Sequence, residues 1–323
     1  MTPLSSRRLS SGDLVADRRL ELAREYDAAG EPAAAAELVE QALELVPEWA
    51  AGWFSLGEFR EKAAESAAEE TVEAEARRAS AVAAYREALR LDPDDRCGAT
   101  LRLARLGAIA APAAPPTAHV RDLFDGYADR YEASLVTALG YRGPQLIGEA
   151  LDRHAAGRRF AAALDLGCGT GLLAPVIRPR VERLDGVDLA PAMIARARAG
   201  GLYDALEVGD VVAAMAARPP ASVDLITAGD VFCYLGDLAP VFAAAARVAA
   251  PGAVFVFTTE TVGEDETGGE VVLRDSLRWA HRPGHLERFA VEAGFRVEAI
   301  EPAVLRRDRG RDIAGRVTLI TRM

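Results

Sequence analysis

Four aspartates, Asp165, Asp188, Asp210 and Asp230, fall in or just beyond the ends of short apolar runs that read as β-strands. Three glycines, Gly167, Gly169 and Gly171, follow the first. The segment Ala162-Ala-Leu-Asp-Leu-Gly-Cys-Gly-Thr-Gly171 is an apolar strand running into a glycine turn. Seventeen residues beyond Gly171, Asp188 closes Leu184-Asp-Gly-Val-Asp188. Glycines there let the backbone approach a ligand closely, and a carboxylate at the end of the second strand can accept both ribose hydroxyls. The chemistry indicated is the binding of a nucleoside. An overlapping register, Gly169-Thr-Gly171-Leu-Leu-Ala174, satisfies the dinucleotide fingerprint G-x-G-x-x-A. In that register the strand overshoots its turn by two residues. A ring of carboxylates also suits a bound cation better than a pyrophosphate.

The spacing Gly167-x-Gly169-x-Gly171, with Asp165 two residues ahead, resembles motif I of the class I S-adenosylmethionine (SAM) methyltransferases. The resemblance implies that Gly167, Gly169 and Gly171, in a turn shared with Asp165 and Cys168, wrap the methionine part of SAM. Asp188, followed by Leu189, would hold the ribose diol, and Met193 would lie under the adenine. Asp210 and the amide of Val211 would meet the adenine edge, while Gly229 and Asp230 would face the sulfonium. Phe124-Asp-Gly-Tyr127-Ala-Asp-Arg-Tyr131, extended by Leu139-Gly-Tyr-Arg-Gly-Pro144, resembles the segment before motif I in methyltransferases related to ubiquinone and menaquinone biosynthesis. There it forms a helical lid over SAM, so Tyr127 and Tyr131, one helical turn apart, are expected to close the pocket. Arg278-Trp-Ala-His281, Ala293-Gly-Phe295 and Leu305-Arg306 resemble the tail of bacterial methyltransferases that carry tetratricopeptide (TPR) repeats.

SAM brings its own leaving group, so the enzyme mainly aligns a nucleophile behind the methyl. Alignment supplies about 7–11 kcal/mol and a general base roughly 3–5 kcal/mol, so a missing base does not exclude transfer. For an oxygen or carbon acid, His281 is the first candidate base, with Tyr127, Asp230 and Tyr234 behind it. Neither Cys168 nor Cys233 has a base beside it in the sequence. Arg274, Arg278, Arg282 and Arg306 concentrate positive charge in the segments expected on the substrate side. One or two of them are candidates to bind a carboxylate on a small substrate, while solvated arginines on helix faces are the favoured alternative.

To position these residues, strands are expected near 161–166, 182–188, 204–208, 223–228 and 252–259. Helices are expected near 171–178, 191–199, 235–249 and 284–293, with further strands near 295–302 and 315–322. Alternating βα units demand a parallel sheet. The fold expected for residues 120–323 is therefore α/β, a doubly wound Rossmann-like class I methyltransferase sheet closed by an antiparallel pair. Residues 109–119 read as a linker, because three closely spaced prolines cannot continue a helix. Residues 1–108 are Ala/Glu/Leu-rich and helical by pattern, an N-terminal all-α TPR-like domain. Leu22, Ala23, Tyr26, Gly30, Ala35, Val39, Ala42 and Pro47 fit one copy of that helix pair. Trp53, Leu56, Gly57, Ala81, Tyr85, Ala88 and Pro93 fit a second, with an excess of twelve residues within Lys62–Ser80 that should lengthen both helices. A further helix near 96–106 would cap the stack.

The net charge of −11 leaves no basic stripe for phosphates, so no nucleic-acid partner is expected. Three scattered cysteines form no C-x-x-C pair, so neither a disulfide framework nor a metal site is expected. An apolar leader and a membrane span are both missing from the sequence as read, and a cytoplasmic location is expected. The leading reading is methyl transfer from SAM to a small molecule, with TPR helices for self-association as a homodimer or for docking a protein partner. Three alternatives stand beside it. They are a protein or carrier-bound substrate presented by the TPR groove, a non-catalytic SAM-sensing adaptor, and an NAD-dependent oxidoreductase.

Overall fold

The computed structural model describes residues 10–66, 72–128, 140–263, 266–308 and 310–323. The chain divides into two compact units, Met1–Asp122 and Leu123–Met323.

The first unit is helical: α1 (Leu14–Ala28), α2 (Pro32–Leu45), α3 (Ala50–Glu65), α4 (Val72–Leu91) and α5 (Ala99–Arg105). Asp13 starts α1 by accepting the amides of Val15 and Ala16. Gly30, at φ +86°, makes the turn to α2, which opens on Pro32 at a position where no amide is needed. Each helix packs on the next. Small residues set the crossings, with Ala23, Ala35, Ala42, Ala81 and Ala88 buried. Gly57 is required where α3 meets α4, because a Cβ there would lie 2.6 Å from the Tyr85 ring. The second pair has the longer helices, 16 and 20 residues against 15 and 14. Within this unit Glu61 is buried, accepting the Tyr85 hydroxyl at 2.5 Å and facing Arg102 and Arg105.

A helix α6 (Thr117–Tyr127) runs through the boundary residues 122 and 123, so the last three residues of the expected 109–119 linker are already helical. The second unit continues with α7 (Gly143–His154), β1 (Phe160–Leu166), α8 (Ala174–Ile177), β2 (Val181–Asp188), α9 (Pro191–Gly200), β3 (Ala205–Val208), α10 (Val211–Ala217) and β4 (Val223–Ala228). It ends with α11 (Ala239–Val248), β5 (Ala249–Thr261), β6 (Val271–Leu273), β7 (Trp279–His281), α12 (Pro283–Glu292), β8 (Phe295–Asp308) and β9 (Arg311–Arg322).

Strands β3-β2-β1-β4-β5 lie side by side and parallel. On the far edge β9 pairs antiparallel with β5, and β8 antiparallel with β9. Both sheet faces are covered, so alternate residues serve two cores. Phe255 and Phe257 join Phe232, Phe242 and Phe295 on one side, while Val254 and Val256 join Ile147, Leu151 and Leu225 on the other. The strand order reverses between β1 and β4, which opens a crevice beyond their carboxyl ends.

The hairpin β6–β7 and the helix α10 were not foreseen. Strand β4 stops opposite Phe257, and β7 takes the vacated edge, pairing Ala280 and His281 with Glu260 and Thr261. Helix α8 spans four residues instead of the expected eight, because the glycine turn and its sequel occupy residues 167–173.

Candidate cofactor and active site

All three glycines of the turn after β1 need left-handed backbone, at φ +61° for Gly167, +54° for Gly169 and +93° for Gly171. A Cβ on Gly167 would also lie 2.5 Å from Cγ2 of Val231, beyond the end of β4. The turn is tied to the end of β2: the Gly169 amide donates to Asp188 Oδ2 at 2.9 Å, and the Ala190 amide to Asp188 Oδ1 at 2.9 Å. Burial raises the proton affinity of Asp188, while these two amides oppose the shift. Its carboxylate is thus oriented before any ligand arrives.

A small cavity lies against this turn, lined by Tyr141, Asp165, Gly167, Gly169, Thr170 and Gly229 among others. Asp165, 1% exposed, accepts the Tyr203 hydroxyl at 2.7 Å and the Thr227 hydroxyl at 2.8 Å. Burial pushes its pKa up to about 6. The Thr170 hydroxyl is buried at the cavity with no hydrogen-bond partner among the described residues. A glycine cradle, an oriented carboxylate and an unsatisfied hydroxyl together fit the amino-acid and ribose groups of SAM. Cys168 is enclosed in the same turn, where burial and then the charges of Asp165 and Asp188 hold its thiol protonated.

Along the expected adenosine side, Leu189 is half-buried and Met193 buried, the latter clustered with Ala128 and Ala190. Val211 is buried as well. Asp210 is exposed and spends Oδ1 on capping α10, accepting Val212 and Ala213 at 2.9 Å each. Tyr127 is half-buried at the last position of α6, and Tyr131 lies outside the described residues. The sequence reading passed over Asp125, which accepts the Ala192 amide at 2.9 Å. Thr170, Tyr203 and Thr227 were missed as well.

On the side expected to face the sulfonium, Gly229 leads into Asp230, a non-glycine residue at φ +59°. The Asp230 amide donates to the Thr258 hydroxyl at 2.9 Å. Its carboxylate is clamped, with Oδ1 2.8 Å from Arg306 and Oδ2 3.3 Å from Arg278. Arg306 also pairs with Glu260, whose carboxylate has Arg274 and Arg278 at 3.7 Å. Arg306 is 4% exposed. Three of the four arginines, one or two of which were candidates to receive a substrate carboxylate, are therefore already paired with the protein's own carboxylates. The fourth, Arg282, donates to the carbonyls of Gly263, Glu266 and Gly269. Arg278 also lies over the Tyr234 ring at 5.0 Å, and Tyr234 meets Phe124 edge-on at 5.4 Å.

His281 is fully enclosed on β7, its Nε2 shared between the carbonyls of Leu235 at 2.9 Å and Phe232 at 3.3 Å. Those contacts require Nε2 to carry the proton, which leaves Nδ1 buried without a partner among the described residues. Burial lowers its pKa to about 4. The proposed base is thus neutral but set in the protein interior. Cys233, buried beside Asp230, has its thiol held protonated by burial.

Residues 164–257 match the family described as Methyltransferase domain. The chain is 36% identical over 113 residues to methyltransferase-like protein 27 of Homo sapiens, covering 34% of this chain and 46% of that protein. It is 30% identical over 151 residues to the ubiquinone biosynthesis O-methyltransferase of Stutzerimonas stutzeri, covering 42% and 65%. The chain thus spans about half to two thirds of the length of these relatives. In fold it resembles the Burkholderia thailandensis 1,6-didemethyltoxoflavin-N1-methyltransferase, at TM-score 0.50 and 17% identity over 67% of this chain and 93% of that one.

Proposed function

We propose that this chain, which carries a class I SAM-dependent methyltransferase domain in its second unit, moves a methyl group from SAM to a small-molecule acceptor. The observation that carries the reading is the link from Gly169 to Asp188, which joins a glycine cradle to a preset carboxylate at the strand-order reversal. Relatives named ubiquinone biosynthesis O-methyltransferase and malonyl-[acyl-carrier protein] O-methyltransferase support this reading.

Gly167, Gly169 and Gly171 would admit the amino-acid part of the cofactor, with the Thr170 hydroxyl as a further partner. Asp188 would take the ribose hydroxyls, and Met193 and Val211 would flank the adenine. The bound cofactor supplies an activated methyl whose carrier leaves unaided. Asp230 serves to hold the loop after β4: with both carboxylate oxygens clamped by arginines, it is poorly placed to accept a proton. His281 packs the hairpin against residues 232–235. Tyr127 is retained as the residue of the lid that would face the acceptor. Catalysis in this reading comes chiefly from alignment and water exclusion, worth about 7–11 kcal/mol when the geometry is right.

The helical unit would serve self-association or docking of a partner, and the protein would work in the cytoplasm. Among the described residues no helix is long and apolar enough to cross a membrane. Calorimetric titration with SAM, S-adenosylhomocysteine (SAH) and NAD tests the core of the reading. Binding of the first two and not the third, followed by methyl transfer in an acceptor screen with labelled SAM, is the expected result. Failure to bind either sulfur nucleoside would overturn it.

A further inference from the structure

We propose that Asp125 is a positioning residue for the cofactor, latching the end of α6 to the first turn of α9 and so setting how long the adenosyl group stays bound. The inference rests on the cofactor assignment above. Helix α9 opens Ala190-Pro191-Ala192, and Ala190 at its N-cap offers no side-chain acceptor. The Ala192 amide donates instead to Asp125 Oδ1, from a residue 67 positions earlier in the chain. A helix start that ordinarily relies on its own Ser, Thr, Asp or Asn is here completed by a distant segment.

That helix end is also the ribose edge. Asp188 holds the Ala190 amide, so two carboxylates from different segments grip amides two residues apart. Burial and, to a lesser degree, the Asp125 charge raise the proton affinity of Asp188, which places the two acids within electrostatic reach. Apolar contacts support the latch. Ala128 is buried with Ala190 and Met193, and Phe124 packs against that cluster while meeting Tyr234 on the acceptor side. Lifting α6 from α9 strips the Ala192 amide of its partner. Asp125 therefore weights the equilibrium toward the closed arrangement, and a ligand that favours that arrangement is retained longer.

Stopped-flow displacement of SAH from the full chain tests this, using wild type, Asp125→Ala and Asp125→Asn with unfolding midpoints alongside. Asp125→Ala should release SAH roughly fivefold to tenfold faster at nearly unchanged association rate. Asp125→Asn should stay near wild type, because its amide oxygen can accept the same N–H. In steady state the KM for SAM should rise in Asp125→Ala while kcat holds or increases. Wild-type release from Asp125→Ala, or equal defects in both variants, would overturn the latch. Absence of SAH binding to the wild type would instead overturn the cofactor assignment itself.

Discussion

Arg306 on β8 donates to Asp230 Oδ1 at 2.8 Å, bridging 76 positions of sequence to fix the loop that follows β4. The same guanidinium pairs with Glu260, so one side chain that is 4% exposed is the nearest cation to two buried carboxylates, with Arg278 and Arg274 farther off.

Removing that cation while keeping both acids takes the nearest partner from each and leaves Arg278 and Arg274, at 3.3–3.7 Å, to share them. Arg306→Met should cost about 3–5 kcal/mol in urea unfolding. Pairing it with Glu260→Gln should recover part of the loss, because one of the two acids left to the remaining arginines is gone. A single-variant cost below about 1 kcal/mol would show that water reaches the cluster.

At Gly167 two penalties coincide. An Ala there must adopt φ +61° and meet the Val231 side chain. Gly167→Ala should lower stability by about 1–3 kcal/mol and weaken SAH binding. Adding Val231→Ala should relieve the contact but not the backbone strain, so only part of the stability returns. Thermal unfolding of the three proteins measures this directly.

Asp188 should dominate cofactor affinity. Hydrogen bonds to a charged group contribute about 1.5–3 kcal/mol each, so Asp188→Ala should weaken SAH binding about a hundredfold or more. Asp188→Asn, which exchanges one acceptor for a donor, should fall between that variant and wild type. Calorimetry showing unchanged affinity in Asp188→Ala would place the ribose elsewhere.

Asp165 and His281 should pull the pH dependence of stability in opposite directions. The native chain holds the Asp165 proton to about pH 6, against 3.8 for an ordinary aspartate, so this group's contribution is lost as pH rises from about 4 to 6. His281 is the reverse. Its native pKa of about 4 lies below the ordinary 6.5, so its contribution grows as pH rises through the same interval. Each effect is on the order of 3 kcal/mol, and in the wild type they largely offset. Asp165→Asn should therefore expose a steeper loss of stability on acidification, and His281→Gln a loss on alkalinisation. Urea unfolding at several pH values from 4 to 7 checks both, and parallel curves for all three proteins would refute the assignment.

What the sequence made legible was local. The strand ending at Leu166, the glycines that follow it and the carboxylate at Asp188 are read from one stretch, because each conformation is demanded by its own residues. The hairpin β6–β7 escaped notice since its strands have three residues each and exist by pairing with the end of β5. Helix α10 escaped for a related reason: its start is signalled by Asp210, which the family resemblance assigned to the adenine. The arginines could be seen as a group, yet the partners of Arg306 lie 46 and 76 positions away at Glu260 and Asp230, and nothing in linear spacing announces them. His281 was correctly placed beyond β5, but only the packing reveals that its ring faces two carbonyls.

The hairpin β6–β7 hangs from the sheet by two residue pairs on β5, and it shares no strand with the glycine turn. It is a separable module, one that could be exchanged without touching the glycine turn or Asp188. The exchange is not unconstrained, because Arg274 and Arg278 travel with the hairpin and Asp230 and Glu260 stay behind. A replacement without a cation would leave both acids to Arg306 alone, which narrows the set of loops tolerated at this position.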